Sequence, residues 1–310
     1  MNTGPVVVSV PDEGYAAGLA GLAGVETLVW PMRGPHPRVG ELRFVVAPYL
    51  QRVAYDELLA GAEVLQAVQI QSAGYEDVLP LLPVGVTLCN AAGVHDASTA
   101  ELAVALALSS QRGLPGFLVR QERHEWEDWS LRGSLADSRV LLLGYGQIGR
   151  AIASRLRPFE VELTVVASRP RAGDDLVDWV HGVGRLPDLA AAADILMVVV
   201  PLTDATRRLI DRDLLARLPD GALVVNVARG AIVDTDALVA ECASGRLRAA
   251  LDVTDPEPLP PGHPLWSTPG VIVTPHAGGA TRAMRPRSLA LIRRQVEALR
   301  DGRQLANVVT

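Results

Sequence analysis

The segment that most constrains the fold is residues 139–150, with the sequence RVLLLGYGQIGR. It opens with a short apolar run of the kind that a strand buried on both faces requires. A glycine-rich turn at 144–149 follows at once and leads into a stretch with helical spacing. Strand, glycine turn and helix in this order supply the context that a bare Gly-x-Gly-x-x-Gly pattern lacks, so they predict a dinucleotide-binding turn.

The three glycines of this turn have separate predicted roles. Gly144 permits a tight turn, Gly146 lets a pyrophosphate approach the backbone, and Gly149 lets the helix pack closely on the strand. The N-terminus of the helix favours the negative charge of the phosphates. The alternative is an ordinary glycine-rich βα turn, and the flanking strand and helix favour nucleotide binding over it.

Composition excludes several classes of protein. At 310 residues the chain is long for one core, so we expect two domains. The net charge of −6 argues against nucleic-acid and anionic-membrane partners, and no apolar run approaches the ~18 residues that span a bilayer. The N-terminal residues lack the basic region of a secretory signal. Cys89 and Cys242 lie in apolar stretches without metal-ligand spacing, so we expect reduced cysteines, a cytoplasmic protein and no metal site.

The sequence contains no lysine, and all 29 of its Lys and Arg residues are arginine. A phosphate-binding Walker lysine, a Schiff base with a lysine side chain and a lysine general base are therefore excluded. The chemistry of the protein must use His, Arg, Asp, Glu, Ser or Thr.

Residues 1–100 alternate short apolar runs with helical segments, which predicts a small open α/β sheet. The predicted strands are Val6–Val10, Arg43–Val46, Val64–Ile70 and Val86–Leu88. Ser72, Ala73 and Gly74 follow the third of these strands. Their backbone amides are therefore expected at the carboxyl end of a strand, where α/β folds bind ligands.

The rest of the chain continues the alternation of helices and strands. A long helix is predicted with an N-cap at Ser98 or Thr99 and an end near Arg112. An arm with Trp126 and Trp129 follows, and packing or a subunit contact is favoured for these rings over a place in a cleft. Further strands are predicted at Leu163–Val166, Ile195–Val200, Leu223–Val227, Ala249–Val253 and Val271–Thr274. Helical segments separate most of them, which predicts a doubly wound parallel sheet.

Three side chains that could carry chemistry follow the last predicted strands. Arg229, Glu257 and His276 each lie just past the end of one of them. Strand ends of a parallel sheet face one ligand crevice, so the three could converge there. A histidine can transfer a proton near neutral pH, a neighbouring carboxylate favours the imidazolium, and an arginine fork binds a carboxylate substrate. Each of them alone is more often a turn or loop residue, and their combination with the glycine turn favours an active site.

The chain resembles the D-isomer-specific 2-hydroxyacid dehydrogenases, in particular the glyoxylate and hydroxypyruvate reductases. The motifs are GYGQIGR at 144–150, VVVPLTDATRRLI at 198–210, NVARGAIVDTDAL at 226–238, LDVTDPEP at 251–258, HPLW at 263–266 and TPHAGGAT at 274–281. Several motifs occur in the order and with the spacing of the family. The resemblance covers residues 70–285 well and the first 70 residues weakly.

The resemblance implies that the protein reduces a 2-oxo acid to a D-2-hydroxy acid with NAD(P)H. Arg229 matches the substrate-binding arginine, Glu257 the carboxylate of the catalytic dyad, and His276 the proton donor. Ala73 and Gly74 match the loop whose amides bind the substrate carboxylate. The implied cofactor-binding residues are Gly144, Gly146, Gln147, Ile148, Gly149, Ser168, Arg169, Arg171, Pro201, Thr206, Ala228, Asp252 and Gly278.

The family also implies the domain organisation. A Rossmann-type doubly wound sheet is expected to be inserted into a smaller flavodoxin-like α/β substrate domain. The expected boundaries are 1–100 for the first segment of the substrate domain, 101–282 for the NAD(P)-binding domain, and 283–310 for a C-terminal helix and tail that return to the substrate domain. The domains are expected to close over the substrate, and a homodimer with the long helix and the tryptophan arm at its contact is implied.

The residues after the second strand of the nucleotide domain predict NADP(H) rather than NAD(H). NAD-specific members place an acidic residue there, roughly 20 residues past the glycines, where it binds the ribose 2′-hydroxyl. Here that position is Ala167, followed by Ser168 and Arg169, so no carboxylate would repel a 2′-phosphate. Two alternatives are a solvated basic turn and a contact with the ribose from Asp174 or Asp175.

Two other functions remain open at this point. A non-catalytic, nucleotide-sensing corepressor of the same fold would keep all these motifs, and a turnover assay would distinguish it from an enzyme. A methyltransferase could share the glycine turn, although it would not need Arg229, Glu257 and His276 at three strand ends. Stabilisation by S-adenosylmethionine rather than by NADPH would identify it.

Overall fold

The computed structural model describes residues 4–49, 51–128 and 130–309. The chain forms two compact units. The first, here called the discontinuous unit, comprises Met1–His95 and Arg282–Thr310, and the second, the central unit, comprises Asp96–Thr281. The assignment of residues 1–100, 101–282 and 283–310 to substrate and nucleotide domains stays a prediction.

A six-stranded sheet forms the middle of the discontinuous unit. Its strands are β1 Val6–Val10, β2 Val25–Val29, β3 Phe44–Val46, β4 Ala67–Gln69, β5 Thr87–Cys89 and β14 Val308–Val309. Their spatial order is β14-β5-β4-β3-β1-β2, and every neighbouring pair is parallel except β14 with β5. The helices are α1 Glu13–Leu19, α2 Tyr55–Leu58 and α9 Met284–Arg300. Strand β1 is buried along its whole length because apolar side chains cover both of its faces.

An eight-stranded sheet forms the middle of the central unit. Its strands are β6 Arg139–Leu143, β7 Glu162–Ala167, β8 Arg171–Ala172, β9 Trp179–Gly182, β10 Ile195–Val198, β11 Leu223–Asn226, β12 Arg248–Leu251 and β13 Val271–Val273. The helices are α3 Asp96–Arg112, α4 Leu114–Glu122, α5 Gln147–Leu156, α6 Leu186–Ala190, α7 Arg212–Arg217 and α8 Thr235–Ala243. The spatial order is β13-β12-β11-β10-β6-β7-β9-β8, with only the β8–β9 pair antiparallel among these strands.

The strand order places a topological switch point in the central sheet. From β6 the chain proceeds outward to β7, and from β10, on the other side of β6, it proceeds outward to β13. Ligands of open α/β sheets bind at the carboxyl ends of strands beside such a switch point. The predicted fold class is confirmed: the central unit has a doubly wound parallel sheet, and β2-β1-β3-β4-β5 is the flavodoxin-like order.

Some elements were not predicted from the sequence. Strand β2 has the sequence VETLV and lies at a sheet edge, where most of its residues are half-exposed, so it shows no continuous apolar run. The short hairpin of β8 and β9, which lies at one edge of the eight-stranded sheet of the central unit, has no continuous apolar run either. Both escape a search for apolar runs because edge strands are buried on fewer sides.

The predicted N-cap of the long helix is wrong. Helix α3 begins at Asp96, and Ser98 and Thr99 lie within its first turn as buried side chains. An aspartate at this end is favoured because the helix N-terminus carries partial positive charge. The end of the helix at Arg112 agrees with the prediction.

Helices α3 and α4 also bear on membrane insertion. Among the helices of the described residues, none alone has the length and apolar composition that would let it cross a membrane. The two helices pass that test only when taken together, as a pair bent by 66°.

Candidate active site

The glycine turn after β6 has the geometry that its three glycines require. Gly144 has a φ of +111°, in the left-handed region, and a Cβ there would lie 2.6 Å from the carbonyl oxygen of Val199. A Cβ at Gly149 would clash with the carbonyl oxygen of Gly144. A Cβ at Gly146, in contrast, would meet nothing within 4 Å. The turn is therefore packed against the sheet at two glycines and open at the third.

The open glycine lies at the start of a helix. Gly146 is the N-cap residue of α5, and among the described residues no side chain caps this end. Gln147 and Ile148 form the first turn. An uncapped helix N-terminus beside an open glycine fits a pyrophosphate, because its backbone N–H groups and its partial positive charge both favour an anion.

The end of β7 presents exposed residues without an acid. Ala167 ends the strand, and Ser168 and Arg169 follow it as exposed residues. Within the described ranges Arg169 has no hydrogen-bond or ion-pair partner, so its guanidinium is available to an anionic ligand. Arg171, in contrast, donates from Nη2 to the carbonyl oxygen of Tyr145 at 3.0 Å. Its guanidinium is therefore attached to the glycine turn.

Asp174 is held by the glycine turn and its helix. The Tyr145 hydroxyl donates to Asp174 Oδ1 at 2.9 Å, and the Asp174 carboxylate forms an ion pair with Arg150. Arg150 also lies 3.1 Å from Asp175. The ion pair with Arg150 compensates the negative charge of Asp174. Asp174 is one of the two acids that the sequence analysis considered as a contact to the ribose.

The turn that follows β10 is closed by a threonine. Thr206 Oγ1 donates to the carbonyl oxygen of Pro201 at 2.7 Å and accepts from the backbone N–H of Thr203 at 2.8 Å. Thr206, one of the implied cofactor-binding residues, therefore also fixes the conformation of this turn.

Arg229 is positioned by a buried asparagine at the end of β11. The Asn226 side chain donates to the carbonyl oxygen of Arg229 at 2.9 Å and accepts from the N–H of Ala228 at 3.0 Å. The Arg229 guanidinium donates to the carbonyl oxygen of Ala228 at 2.7 Å. Gly230 comes next, and a Cβ there would clash with the backbone of Thr254. The lack of a side chain at Gly230 therefore lets the Arg229 turn pack on the segment that leads to Glu257.

His276 and Glu257 are joined directly. His276 Nδ1 lies 2.6 Å from Glu257 Oε1, and both side chains are partly exposed. The hydrogen bond with His276 is the largest influence on the pKa of Glu257 and holds it below its usual range. Burial, the next largest influence, opposes this effect, and the charges of His276 and Arg229 lower the pKa by smaller amounts. Because Nδ1 is occupied, Nε2 is the ring nitrogen available for proton transfer.

Asp252, at the end of β12, organises the loop that contains His276. Its carboxylate accepts hydrogen bonds from the Thr274 hydroxyl at 2.6 Å, the Ala277 N–H at 2.8 Å and the Gly278 N–H at 2.9 Å. The Asp252 carbonyl accepts from the His276 N–H at 2.8 Å. These bonds support His276 at a positive φ of 53°, a backbone conformation that is uncommon for residues other than glycine.

The loop of Ser72, Ala73 and Gly74 after β4, in the discontinuous unit, has bonded carbonyl groups and, among the described residues, two unbonded N–H groups. Its three carbonyl groups are all satisfied: Ala91 N–H donates to Ser72 at 2.8 Å, Asn90 Nδ2 to Ala73 at 2.8 Å, and the Ser72 hydroxyl to Gly74 at 2.7 Å. The N–H groups of Ala73 and Gly74 have no partner within the described part of the chain. Two successive free amides can bind an anion.

The tryptophans and cysteines discussed above differ in their exposure to solvent. Trp126 is 96% exposed, Trp266 is half-exposed and donates from Nε1 to Pro260 O at 2.9 Å, and Trp129 lies outside the described residues. Cys89 and Cys242 are buried free thiols. Among residues 4–49, 51–128 and 130–309, no group of three or more His, Cys, Asp or Glu side chains could hold a metal ion.

The structure adds residues that the sequence analysis missed. Asn226 and Thr274 support the segments of Arg229 and His276, and the Thr254 hydroxyl donates to the carbonyl oxygen of Pro256 at 2.8 Å, next to Glu257. The sequence pattern that could have identified them is a polar residue at the end of an apolar run, where a strand is followed by a loop.

Comparison with known proteins identifies the family. Residues 104–278 match the NAD binding domain of the D-isomer specific 2-hydroxyacid dehydrogenases. The chain is 33% identical over 296 residues to mouse glyoxylate reductase/hydroxypyruvate reductase, covering 91% of this chain and 89% of that protein.

Solved structures agree with the sequence comparison. The D-isomer specific 2-hydroxyacid dehydrogenase of Xanthobacter autotrophicus Py2, in complex with NADPH and MES, is 28% identical with a TM-score of 0.84, covering 99% and 98% of the two chains. The NADPH-dependent glyoxylate/hydroxypyruvate reductase of Sinorhizobium meliloti, in complex with NADP and sulfate, is 26% identical with a TM-score of 0.81 and the same coverage. Because its NAD-binding domain matches this family and a relative 33% identical aligns with 91% of the chain, the chain belongs to the NAD(P)-dependent D-isomer specific 2-hydroxyacid dehydrogenases.

Proposed function

We propose that this enzyme reduces a small 2-oxo acid to a D-2-hydroxy acid, with His276 and Glu257 as the catalytic dyad, Arg229 as the substrate-binding arginine, and NADPH as the preferred cofactor. The observation that carries the proposal is the 2.6 Å contact between His276 Nδ1 and Glu257 Oε1, in a chain of this family. Reductases of glyoxylate and hydroxypyruvate among its relatives support a small 2-oxo acid as the substrate class.

Residues of the central unit would hold the cofactor. The open Gly146 and the α5 N-terminus fit the pyrophosphate. Ala228, Asp252 and Gly278 are proposed for the nicotinamide end, with Pro201 and Thr206 along the phosphates. When bound, the reduced nicotinamide supplies the hydride that the reaction needs.

His276 is proposed to supply the proton. The imidazolium would donate from Nε2 to the oxygen of the substrate carbonyl as negative charge develops there. Glu257 holds the ring through Nδ1 and favours the charged imidazolium, because its own lowered pKa keeps it ionised.

Arg229 is proposed to bind the substrate through its planar guanidinium, which can bond a carboxylate in two places and polarise the neighbouring carbonyl. Asn226 and Gly230 fix the backbone on either side of it. The free N–H groups of Ala73 and Gly74 are proposed as further donors to the substrate carboxylate, which would make the discontinuous unit the substrate domain.

The preference for NADPH rests on the charges after β7. The segment has no acid at Ala167, and it has an exposed hydroxyl at Ser168 and a free guanidinium at Arg169. Asp174, the acid that could have opposed a 2′-phosphate, is ion-paired with Arg150. A 2′-phosphate would therefore meet an unpaired cation and a compensated anion. Bound NADPH in the Xanthobacter relative and bound NADP in the Sinorhizobium one support this preference.

A homodimer and a cytoplasmic location complete the proposal. The dimer is supported by an apolar surface that begins at α4 and continues into the following arm. Its exposed apolar residues are Leu114, Phe117, Leu118, Val119, Trp126 and Leu131. A surface of this kind on one segment is typical of a protein contact.

One assay tests the proposed function. Oxidation of NADPH and of NADH would be measured with glyoxylate, hydroxypyruvate, pyruvate, bulkier aliphatic 2-oxo acids and phenylpyruvate, and the stereochemistry of the hydroxy acid determined. We expect turnover with at least one small 2-oxo acid, faster with NADPH, to give the D-product. Tight binding of a nicotinamide nucleotide without turnover of any of these acids would instead favour the non-catalytic corepressor.

A further inference from the structure

The discontinuous unit contains a buried polar network centred on Gln71. Gln71 directly precedes the Ser72–Gly74 loop and is 3% exposed. Its Oε1 accepts hydrogen bonds from the Tyr15 hydroxyl at 2.5 Å and from the Ser288 hydroxyl at 3.1 Å. Its Nε2 donates to the carbonyl oxygen of Ala47 at 2.8 Å. Helices α1 and α9 and the loop after β3 therefore all bond to one side chain.

The backbone of Gln71 is held as well. His95 lies with Nε2 2.6 Å from the Gln71 carbonyl oxygen, at the peptide bond that leads into Ser72. Tyr15 itself is fixed by the guanidinium of Arg285, which lies 4.7 Å from its ring centroid. Burial raises the pKa of Tyr15, so its hydroxyl remains a donor throughout the pH range in which enzymes are assayed.

A network of this kind is more than the core needs. Buried polar groups stabilise a fold weakly compared with apolar side chains of the same shape, and a partly satisfied network is costly. What such networks do provide is a defined orientation of the groups they hold. The group held here is Gln71, which lies two residues before the first of two free backbone amides, those of Ala73 and Gly74.

We propose that Tyr15 and Ser288 are positioning residues for substrate binding: by fixing Gln71 they orient the Ala73 and Gly74 N–H groups for the carboxylate of the 2-oxo acid. This inference rests on the proposed function, in which that loop binds the substrate. Neither residue touches the substrate, and both act through the Gln71 side chain.

The first test is Tyr15→Phe, which removes the shorter of the two hydrogen bonds to Gln71 Oε1 and keeps the ring. We expect KM for the best 2-oxo acid to rise about three- to tenfold, the effect of losing one hydrogen bond, with a smaller change in kcat and an unchanged Kd for NADPH. Binding of oxamate, a carboxylate that cannot be reduced, should weaken by the same factor. Hydrogen exchange of the amides at 72–75 should become faster.

Ser288 provides an independent variant if Tyr15→Phe folds poorly. Ser288→Ala should raise KM in the same direction, and Ser288→Thr, which keeps the hydroxyl, should restore it. Because both hydroxyls bond to the same oxygen, the effects of Tyr15→Phe and Ser288→Ala should not add in the double variant.

Tyr55→Phe is the matched control. Tyr55 is also a buried tyrosine of the discontinuous unit, and its hydroxyl has no hydrogen-bond partner among the described residues. It should leave KM, oxamate binding and loop exchange unchanged. If Tyr15→Phe and Tyr55→Phe lower the melting temperature equally and change none of these three properties, the role of Tyr15 is merely structural.

The outcomes separate the two proposals. If the wild-type enzyme reduces no 2-oxo acid, the proposed function is wrong. If it does, and Tyr15→Phe and Ser288→Ala match Tyr55→Phe in KM, oxamate binding and loop exchange, the positioning role is overturned. A selective loss of carboxylate affinity with normal NADPH binding supports it.

Discussion

Glu257 Oε1 and His276 Nδ1 lie 2.6 Å apart, although the two residues are 19 positions apart in the sequence and follow different strands. The contact fixes one nitrogen of the imidazole and leaves the other for proton transfer. The carboxylate stays ionised to lower pH than an ordinary glutamate because the contact lowers its pKa. The charge that favours the imidazolium is therefore present across the neutral range.

Replacing His276 should remove the proton donor. His276→Ala is expected to lower kcat for 2-oxo acid reduction by ~10²-fold or more. The Kd for NADPH, measured by fluorescence titration, should stay close to the wild-type value. Near-normal turnover in a folded variant would show that another group supplies the proton.

The dyad also predicts a pH dependence. Reduction delivers a proton to the substrate oxygen, so we expect kcat/KM for reduction to fall at alkaline pH. In Glu257→Gln the imidazolium loses its anionic partner, and we expect the alkaline limb of the kcat/KM profile to move to lower pH. A profile that does not move would make Glu257 a loop charge without influence on the histidine.

Arg229→Lys tests the role of the guanidinium fork. The variant keeps the positive charge and loses the planar pair of donors, so we expect KM for the 2-oxo acid to rise and kcat to fall together. If only the melting temperature falls, Arg229 serves the fold, through its turn against Thr254, rather than the substrate.

Cofactor preference can be tested at Arg169. Arg169→Ala should weaken NADPH binding by the loss of a charge-assisted pair, ~1.5–3 kcal/mol or at least tenfold, and leave NADH binding nearly unchanged. Arg217→Ala is the matched control, because Arg217 is exposed and ends α7, just before the chain enters β11 at the amino edge of the sheet. Equal losses for both cofactors, or a wild-type enzyme that prefers NADH, would contradict the proposal.

The apolar surface on α4 predicts the oligomeric state. Light scattering at micromolar concentration should give the mass of a dimer, and Leu118→Glu should shift it towards the monomer because a buried charge would be left unpaired at the contact. Val84→Glu, at a fully exposed apolar position of the other unit, should not. A monomeric wild-type protein would refute the proposed dimer.

Much of the fold could be predicted from sequence because it depends on local patterns. The apolar runs at Val6–Val10 and Val140–Leu143 are long enough to identify buried parallel strands, and the glycine turn marks its own βα unit. Edge strand β2 escaped because Glu26 and Thr27 interrupt its apolar run. The predicted start of α3 was wrong because Ser98 and Thr99 are residue types that often cap helices, whereas here both lie within the first turn of α3 and are buried in the protein.

By itself, the sequence determined the order of most strands and helices, the glycine turn, the absence of lysine, and the three candidate residues that follow late strands. Only the tertiary structure decided which groups meet. It brought Glu257 into contact with His276, let Asp252 accept hydrogen bonds from the loop that contains His276, and paired Arg150 with Asp174. The physical reason is that hydrogen bonds and ion pairs act over a few ångströms, while these partners are separated by many residues and brought together only when parallel strands align their carboxyl ends.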